Sequence, residues 1–129
     1  MSHYALELII VYNLTSESRK RKWFQKIFTK SKENCHLNKM THNIFGMKSS
    51  WKTFLDCLSM SFKIFYKDEF RKEYVNYTNI EQVKFPCAYI RKGNLLEPLV
   101  SKVEIETKGS VDDMIYLFYQ HLNEKKTLS

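Results

Sequence analysis

The chain has 129 residues, of which 43% are hydrophobic and 15% aromatic, and it contains only three glycines and two prolines. This length suits one domain with a sizeable core, so we expect a single domain over residues 1–129, and the composition excludes a linker or a loop-rich scaffold. The net charge of +7 favours an acidic partner: nucleic acid, an anionic membrane or an acidic protein face.

The positive charge is concentrated at the start of the chain. Residues 1–50 hold nine Lys and Arg against three Glu, a net +6, whereas residues 51–129 are near +1. Four cations share one face of a predicted first helix: Arg19, Lys22, Lys26 and Lys30. Their mutual repulsion would be relieved by an acidic partner, and we predict them as partner-binding residues. The alternative is a solvated helix face that only keeps the protein soluble.

The first predicted element is a central strand over residues 6–11, because this run is almost continuously apolar. It is too short for a membrane span and lacks the flanks of a signal peptide, so we expect no membrane partner and a cytoplasmic or nuclear location. Thr15 or Ser16 is a candidate N-cap for the helix that follows. The apolar residues of that helix recur at helical spacing: Trp23, Phe24, Ile27 and Phe28.

The middle of the chain is less regular. Residues 31–50 are polar and predict no clear element. Ser50 is a candidate cap for a second helix, whose apolar face would carry Trp51, Phe54, Leu55 and Leu58. Apolar and polar residues alternate over 60–66, which predicts a strand, with one long helix continuing to Tyr74 as the alternative. Residues 68–75 are expected to be helical.

A hairpin is predicted over residues 87–100. Pro86 directly precedes a short apolar strand, and Lys92-Gly93-Asn94 forms a turn, since Gly and Asn tolerate positive φ. The second strand, residues 95–100, contains Pro98, which lacks an N–H group and is therefore expected at the edge of the sheet. Alternation over 103–107 predicts that this edge is extended or that another strand follows.

The last predicted element is a helix. Ser110 and Asp113 resemble a capping box, and an apolar stripe follows at helical spacing, with fraying expected from Glu124. The stripe consists of Val111, Met114, Ile115, Phe118 and Leu122. Most tyrosines are expected in the core or beside it, including Tyr116 and Tyr119.

The cysteine and histidine pattern favours neither a disulfide framework nor a metal centre. Cysteine is present three times, an odd number, and Cys87 is expected to be a small buried apolar residue. The candidate zinc ligands are Cys35, His36, His42 and Cys57. Their spacing matches no compact zinc finger, so we predict no metal and no cofactor. His121 is expected at the surface.

Residues 60–122 resemble the thioredoxin-like fold. The matching features are Pro86 before an inner strand, the Gly93 turn, an edge strand and the helix from Val111. The resemblance implies an α/β fold with a mixed sheet flanked by helices, a C-terminal hairpin and helix, and usually a cis bond before the proline. It makes Pro86 and Gly93 structural residues and residues 31–50 an insertion. Among relatives, the segment is most similar to phosducin-like proteins, which lack the paired cysteines.

The same resemblance argues against catalysis. The place of the family's Cys-x-x-Cys motif reads Leu14-Thr15-Ser16-Glu17-Ser18-Arg19, without a thiol. We therefore predict no enzyme activity and no catalytic residue, with Ser16 and Ser18 as helix caps. The predicted function is a non-catalytic protein-binding adaptor or assembly factor, which uses the basic helix face and the edge strand around Leu95 and Leu96. The alternative is a small nucleic-acid-associated subunit of a ribonucleoprotein or chromatin complex.

Overall fold

The computed structural model describes residues 6–16, 35–43, 45–77 and 80–128, with the side chains of the last helix described up to residue 125. Its central feature is a mixed four-stranded sheet in the order β4-β1-β5-β6. The strands are β1 (Leu6–Tyr12), β4 (Ser61–Tyr66), β5 (Cys87–Lys92) and β6 (Leu95–Val100). β1 pairs parallel with β4 and antiparallel with β5, and β6 pairs antiparallel with β5. The predicted α/β class is confirmed.

Helices and a small hairpin complete the described part of the chain. The helices are α1 (His36–Thr41), α2 (Ser49–Asp56), α3 (Lys67–Glu73), α4 (Lys102–Glu106) and α5 (Val111–Leu128). The hairpin consists of β2 (His42–Asn43) and β3 (Gly46–Met47), and a 3-10 turn spans Ile80–Gln82. The polar segment 31–50 therefore forms a short helix and a hairpin over its described residues. The predicted first helix lies outside the described residues.

The two faces of β1 belong to two separate clusters of buried side chains. Leu8, Ile10 and Tyr12 face the cluster that includes α2 and α5, where the rings of Trp51 and Phe118 meet edge to face with centroids 5.3 Å apart. The odd-numbered residues face the second cluster, which is built around Phe70 of α3 and Tyr89 of β5. Those two rings stack at 5.4 Å. Burial on both faces explains why β1 is apolar except at Glu7.

Several predicted elements are confirmed. β4 is a strand, so the alternative of one long helix to Tyr74 is wrong. The second helix is present, but it begins at Ser49 after Lys48, and no side chain caps it, so Ser50 is not the cap. Ser110 caps the last helix, since its Oγ accepts the Asp113 N–H at 3.1 Å. That helix continues to Leu128, beyond the predicted fraying.

The predicted strand at 103–107 is wrong, because these residues form α4. Ser101 is the N-cap, and its Oγ accepts the Glu104 N–H at 3.2 Å. Oε1 of Glu104 in turn accepts the Ser101 N–H at 3.1 Å. This Ser-x-x-Glu capping box outweighs the alternating pattern, because it satisfies two N–H groups that a helix start leaves unpaired. Ile105 is the buried residue of the turn.

The segment after Pro86 enters the middle of the sheet. The Phe85–Pro86 peptide bond is cis, and β5 begins at the next residue and lies between β1 and β6. Gly93 has a φ of +58° and, with Asn94, forms the two-residue connection between β5 and β6. β6 is an edge strand, as Pro98 predicts.

Candidate partner-binding surface

The residues predicted to bind a partner are only partly described. The four cations Arg19, Lys22, Lys26 and Lys30 lie outside the described residues. Leu95, at the start of β6, is 65% exposed, and Leu96 is 8% exposed because its side chain packs in the second buried cluster. Only Leu95 of this pair therefore presents its side chain to solvent.

The outer edge of β6 is partly occupied by the protein itself. A two-residue turn makes Lys92 and Leu95 a hydrogen-bonded pair, so the backbone groups of Leu96 and Pro98 point away from β5. The Tyr77 hydroxyl donates to the Leu96 carbonyl at 3.3 Å. Pro98 has no N–H to offer. A partner strand added here would have to displace Tyr77 and would find no donor at Pro98.

The β2–β3 hairpin carries an exposed aromatic side chain at its tip. Phe45 is 92% exposed, and its backbone N–H donates to Oδ1 of Asn43 at 2.9 Å, which fixes the turn. At the base of the hairpin, the Lys48 N–H donates to the Thr41 carbonyl at 2.8 Å. The hairpin is thus held at its base and presents Phe45 to solvent.

The surroundings of this hairpin in the sequence are basic. Residues 35–53 include three lysines and no Asp or Glu. These are Lys39 in the last turn of α1, Lys48 directly after β3, and Lys52 on α2. Lys39 and Lys52 are exposed. A basic segment of this kind favours the approach of an acidic partner.

The carboxyl ends of the parallel strands β1 and β4 meet through polar contacts. Asp68, at the start of α3, accepts both the Ser16 hydroxyl at 2.6 Å and the Ser16 N–H at 3.0 Å. Burial raises the pKa of Asp68, but these two hydrogen bonds, together with the backbone N–H groups of Asp68 and Glu69, outweigh it and hold that pKa below its usual value. Lys67 Nζ donates to Oδ1 of Asn13 at 3.1 Å. Ser16 is therefore bound to the Asp68 carboxylate, and this pair joins the segment after β1 to the start of α3.

Cys35, a candidate zinc ligand in the sequence, has a capping role at a helix start that the sequence analysis does not predict. It is the N-cap of α1, and its Sγ accepts the N–H groups of Asn13 at 3.3 Å and Asn38 at 3.4 Å. Burial raises the pKa of its thiol despite these donors. The residue three positions on, where a resolving thiol would follow, is Asn38. Cysteine is not among the residues preferred at N-caps, so no local sequence signal marks this role.

The other cysteines differ in exposure. Cys87 is buried, as predicted, and burial raises the pKa of its thiol to about 12, whereas Cys57 is exposed. Among the described residues, no three His, Cys, Asp or Glu side chains form a metal-binding group. Two of the candidate zinc ligands have other contacts: His36 Nε2 bonds the Lys108 carbonyl and His42 Nδ1 lies 2.8 Å from Thr41 Oγ1.

A charged pair lies across β1 and β5 on the face of the second cluster. Glu7 is directly opposite Arg91, with Arg91 Nη2 2.9 Å from Glu7 Oε1. Glu7 is largely buried, whereas the Arg91 side chain is 41% exposed. Ser61 of β4 donates to Glu7 Oε2 at 3.4 Å, so one carboxylate joins three strands. This contact explains the single charge in the first strand.

One tyrosine lies closer to solvent, and one histidine farther from it, than the sequence predicts. Tyr116 on α5 is 63% exposed, so its expected place in or beside the core is corrected. Tyr119 is 43% exposed, but its ring meets that of the buried Phe54 with centroids 5.1 Å apart, so it lies beside the core as predicted. His121 is half-buried instead of a free surface residue, because its Nε2 lies 2.6 Å from Glu104 Oε2.

Among the described residues, no helix is both long enough and apolar enough to cross a membrane. Comparison with protein-family models, with curated proteins and with solved structures gives no match to this chain.

Proposed function

We propose that this domain is a non-catalytic adaptor that binds an acidic protein partner, and that it adopts a redox-inactive thioredoxin-like fold. The observation that carries the binding role is Phe45, an aromatic side chain 92% exposed at a hairpin tip, in a segment with three lysines and no carboxylate. Backbone hydrogen bonds at the base and in the turn hold the hairpin without burying this side chain.

An exposed Phe is a typical anchor of a protein interface. Moving such a side chain out of water gains about 1.5–3 kcal/mol, and a few anchors of this kind supply most of the binding energy in many interfaces. Lys39, Lys48 and Lys52 would add orientation and a faster association with an acidic surface. The cations at Arg19, Lys22, Lys26 and Lys30 lie outside the described residues and add to the positive net charge of the chain, which also favours an acidic partner.

The thioredoxin-like assignment is supported by the way the second half of the chain is arranged. β5 follows Pro86 directly and is an inner strand, the Gly93 turn leads to an edge strand, and α5 closes the domain. Redox inactivity is supported by Cys35, whose thiol is buried and protonated at neutral pH, and by Asn38 three positions on.

The adaptor role is tested by capturing partners from the native cell with the tagged domain and measuring the affinity of the purified partner. Phe45→Ser should weaken that affinity at least tenfold, as expected for loss of an aromatic anchor that becomes buried in the complex. Val75→Ser is the matched control, because Val75 is also exposed but follows α3, which packs in the second cluster, and is not a predicted partner-binding residue. Equal affinities for wild type and Phe45→Ser would overturn the proposal.

The nucleic-acid alternative predicts a different response to salt. A protein that binds phosphates loses affinity steeply and linearly on a log-log plot as salt rises, whereas an interface with an apolar anchor retains most of its affinity at moderate salt. Filter binding with single- and double-stranded RNA and DNA measures this slope. Tight, salt-sensitive binding of nucleic acid, unaffected by Phe45→Ser, would replace the adaptor role. Turnover in an insulin-reduction assay with dithiothreitol would overturn redox inactivity.

A further inference from the structure

The outer edge of β4 has two residues whose backbone groups point away from the sheet. The Lys67 N–H donates toward β1, to the Leu14 carbonyl at 2.9 Å, and the preceding Tyr66 N–H turns outward to Glu69 Oε1 at 2.9 Å. Backbone groups alternate in direction along a strand, so those of Phe62 and Ile64 also point outward. Among the described residues, none forms a hydrogen bond with the outward backbone groups of Phe62 and Ile64.

The two edges of the sheet therefore differ. The β6 edge lacks a donor at Pro98, and its Leu96 carbonyl is bound by Tyr77. β4 contains no proline, pairs with β1 in regular register from Ser61 to Tyr66, and leaves two consecutive outward positions with both a donor and an acceptor. An added strand can use such a row directly. β4 is the edge to which a partner strand can add without displacing a described contact.

The side chains of β4 restrict what that strand can be. Phe62 and Ile64 are half-buried against the first cluster, whereas Lys63 is exposed on the opposite face. No ion pair to Lys63 occurs within the described part of the chain, and Glu7, on the neighbouring strand, is already bound by Arg91. A strand opposite β4 thus meets an apolar face on one side and an unpaired cation on the other.

A second copy of the chain fits this edge poorly. If two β4 strands pair antiparallel through Phe62 and Ile64 of each, the two-fold axis places Lys63 directly opposite Lys63 of the other copy. Like charges in directly opposite positions destabilise a strand pair, whereas an opposite charge stabilises it by about 0.2–1 kcal/mol. The charge of β4 therefore favours an acidic strand over a copy of itself.

We infer that β4 is the docking edge for an extended segment of the partner with the pattern apolar-acidic-apolar. Its acidic side chain would lie opposite Lys63, and its apolar side chains would lie beside Phe62 and Ile64, on the face of the first cluster. This inference rests on the proposed adaptor function and deepens it, since it names the strand used and the sequence pattern that the strand would recognise.

The test is titration of the full chain with blocked heptapeptides centred on Val-Glu-Val and on Val-Lys-Val, followed by amide NMR. We expect the Glu peptide to bind roughly fivefold more tightly than the Lys peptide, in line with the cross-strand charge terms. Binding should protect the amides of Phe62 and Ile64 from exchange. The variant Lys63→Glu should reverse the preference, and Lys84→Glu, an exposed lysine outside the sheet, should leave it unchanged.

A third peptide tests backbone pairing with β4 without any substitution in the protein. N-methylation of the two peptide bonds that face β4 should abolish binding, because it removes the donors of the added strand. Protection at Leu96 or Glu97 instead of Phe62 and Ile64, or equal affinity for both charged peptides, would overturn the inference. A concentration-dependent dimer with protection at Phe62 and Ile64 would also overturn it, in favour of a second copy. If one of these outcomes overturns the inference while Phe45→Ser still weakens partner binding, the adaptor function stands.

Discussion

His121 on α5 and Glu104 on α4 are joined through Nε2 and Oε2 at 2.6 Å, and the same carboxylate also caps α4. Oε1 of Glu104 accepts the Ser101 N–H at 3.1 Å and the Ser101 hydroxyl at 3.0 Å. One side chain therefore sets the start of a short helix and connects it to His121 of the next helix, a residue 17 positions along the chain. The position of α4 against α5 depends on this carboxylate.

Replacement of Glu104 by Gln should lower the free energy of unfolding by about 1 kcal/mol, the usual value for the loss of a cap combined with a charge-assisted hydrogen bond. The measurement is urea denaturation at pH 7. Glu106→Gln is the matched control, because Glu106 lies on the same helix and is exposed. Equal losses in the two variants would contradict the assigned role.

Glu104 should also make stability depend on pH. Burial raises its pKa, but the Ser101 N–H, His121 and the Ser101 hydroxyl together lower it further, so the net pKa is below the usual value. A carboxyl group with a lowered pKa in the folded state stabilises the protein above its unfolded pKa, and this contribution is lost as the pH falls through the folded pKa. Wild type should thus lose more stability than Glu104→Gln between about pH 5 and pH 3. An equal loss of stability in wild type and in Glu104→Gln between these two pH values would refute this.

The hydrogen bond between Tyr12 and Thr41 should be visible in a double-mutant cycle. The Tyr12 hydroxyl lies 2.9 Å from Thr41 Oγ1 in the first buried cluster, and burial raises the Tyr12 pKa well above its usual value. Thr41→Val leaves a buried hydroxyl without this partner and should cost about 1–3 kcal/mol. With Tyr12→Phe present, the same change should cost about 1 kcal/mol less.

Thermal and urea unfolding of the two single variants and the double variant give the coupling energy. Thr53→Val is the control, since Thr53 is exposed on α2 and the substitution has the same shape. A coupling energy near zero would mean that the hydrogen bond contributes nothing to stability. An effect of Thr53→Val as large as that of Thr41→Val would point to the loss of a hydroxyl in general rather than to this pair.

The three cysteines should differ in their reaction with iodoacetamide. Cys57 is exposed, whereas Cys35 and Cys87 are buried and have raised pKa values, so few of their thiols are ionised at pH 8. We expect one rapidly labelled site per native chain and three after unfolding. Peptide mass spectrometry identifies the sites, and Cys57→Ser should abolish the rapid labelling. Faster labelling of Cys35 than of Cys57 would contradict redox inactivity.

Local chemistry made several features predictable from the sequence. The two-sided apolar run of β1, the positive φ of Gly93 and the Ser110 cap depend on residues within a few positions of each other, and all three are present. Pro98 likewise predicts an edge strand, because proline lacks the N–H group that an inner strand needs for pairing on both sides. Alternation at 103–107 predicts a strand wrongly, because the capping box of Ser101 and Glu104 starts a helix there.

By itself, the sequence determined the elements whose cause is local. These are the turn at Gly93, the helix starts at Ser101 and Ser110, and the strand β1, which is buried on both faces. Only the tertiary structure decided which edge is open, since Tyr77 reaches Leu96 from 19 residues away and the outward direction of Phe62 and Ile64 follows from pairing with β1. It also decided that Phe45 is exposed. Contacts between distant residues depend on how the elements pack, and no pattern along one stretch of chain contains that information.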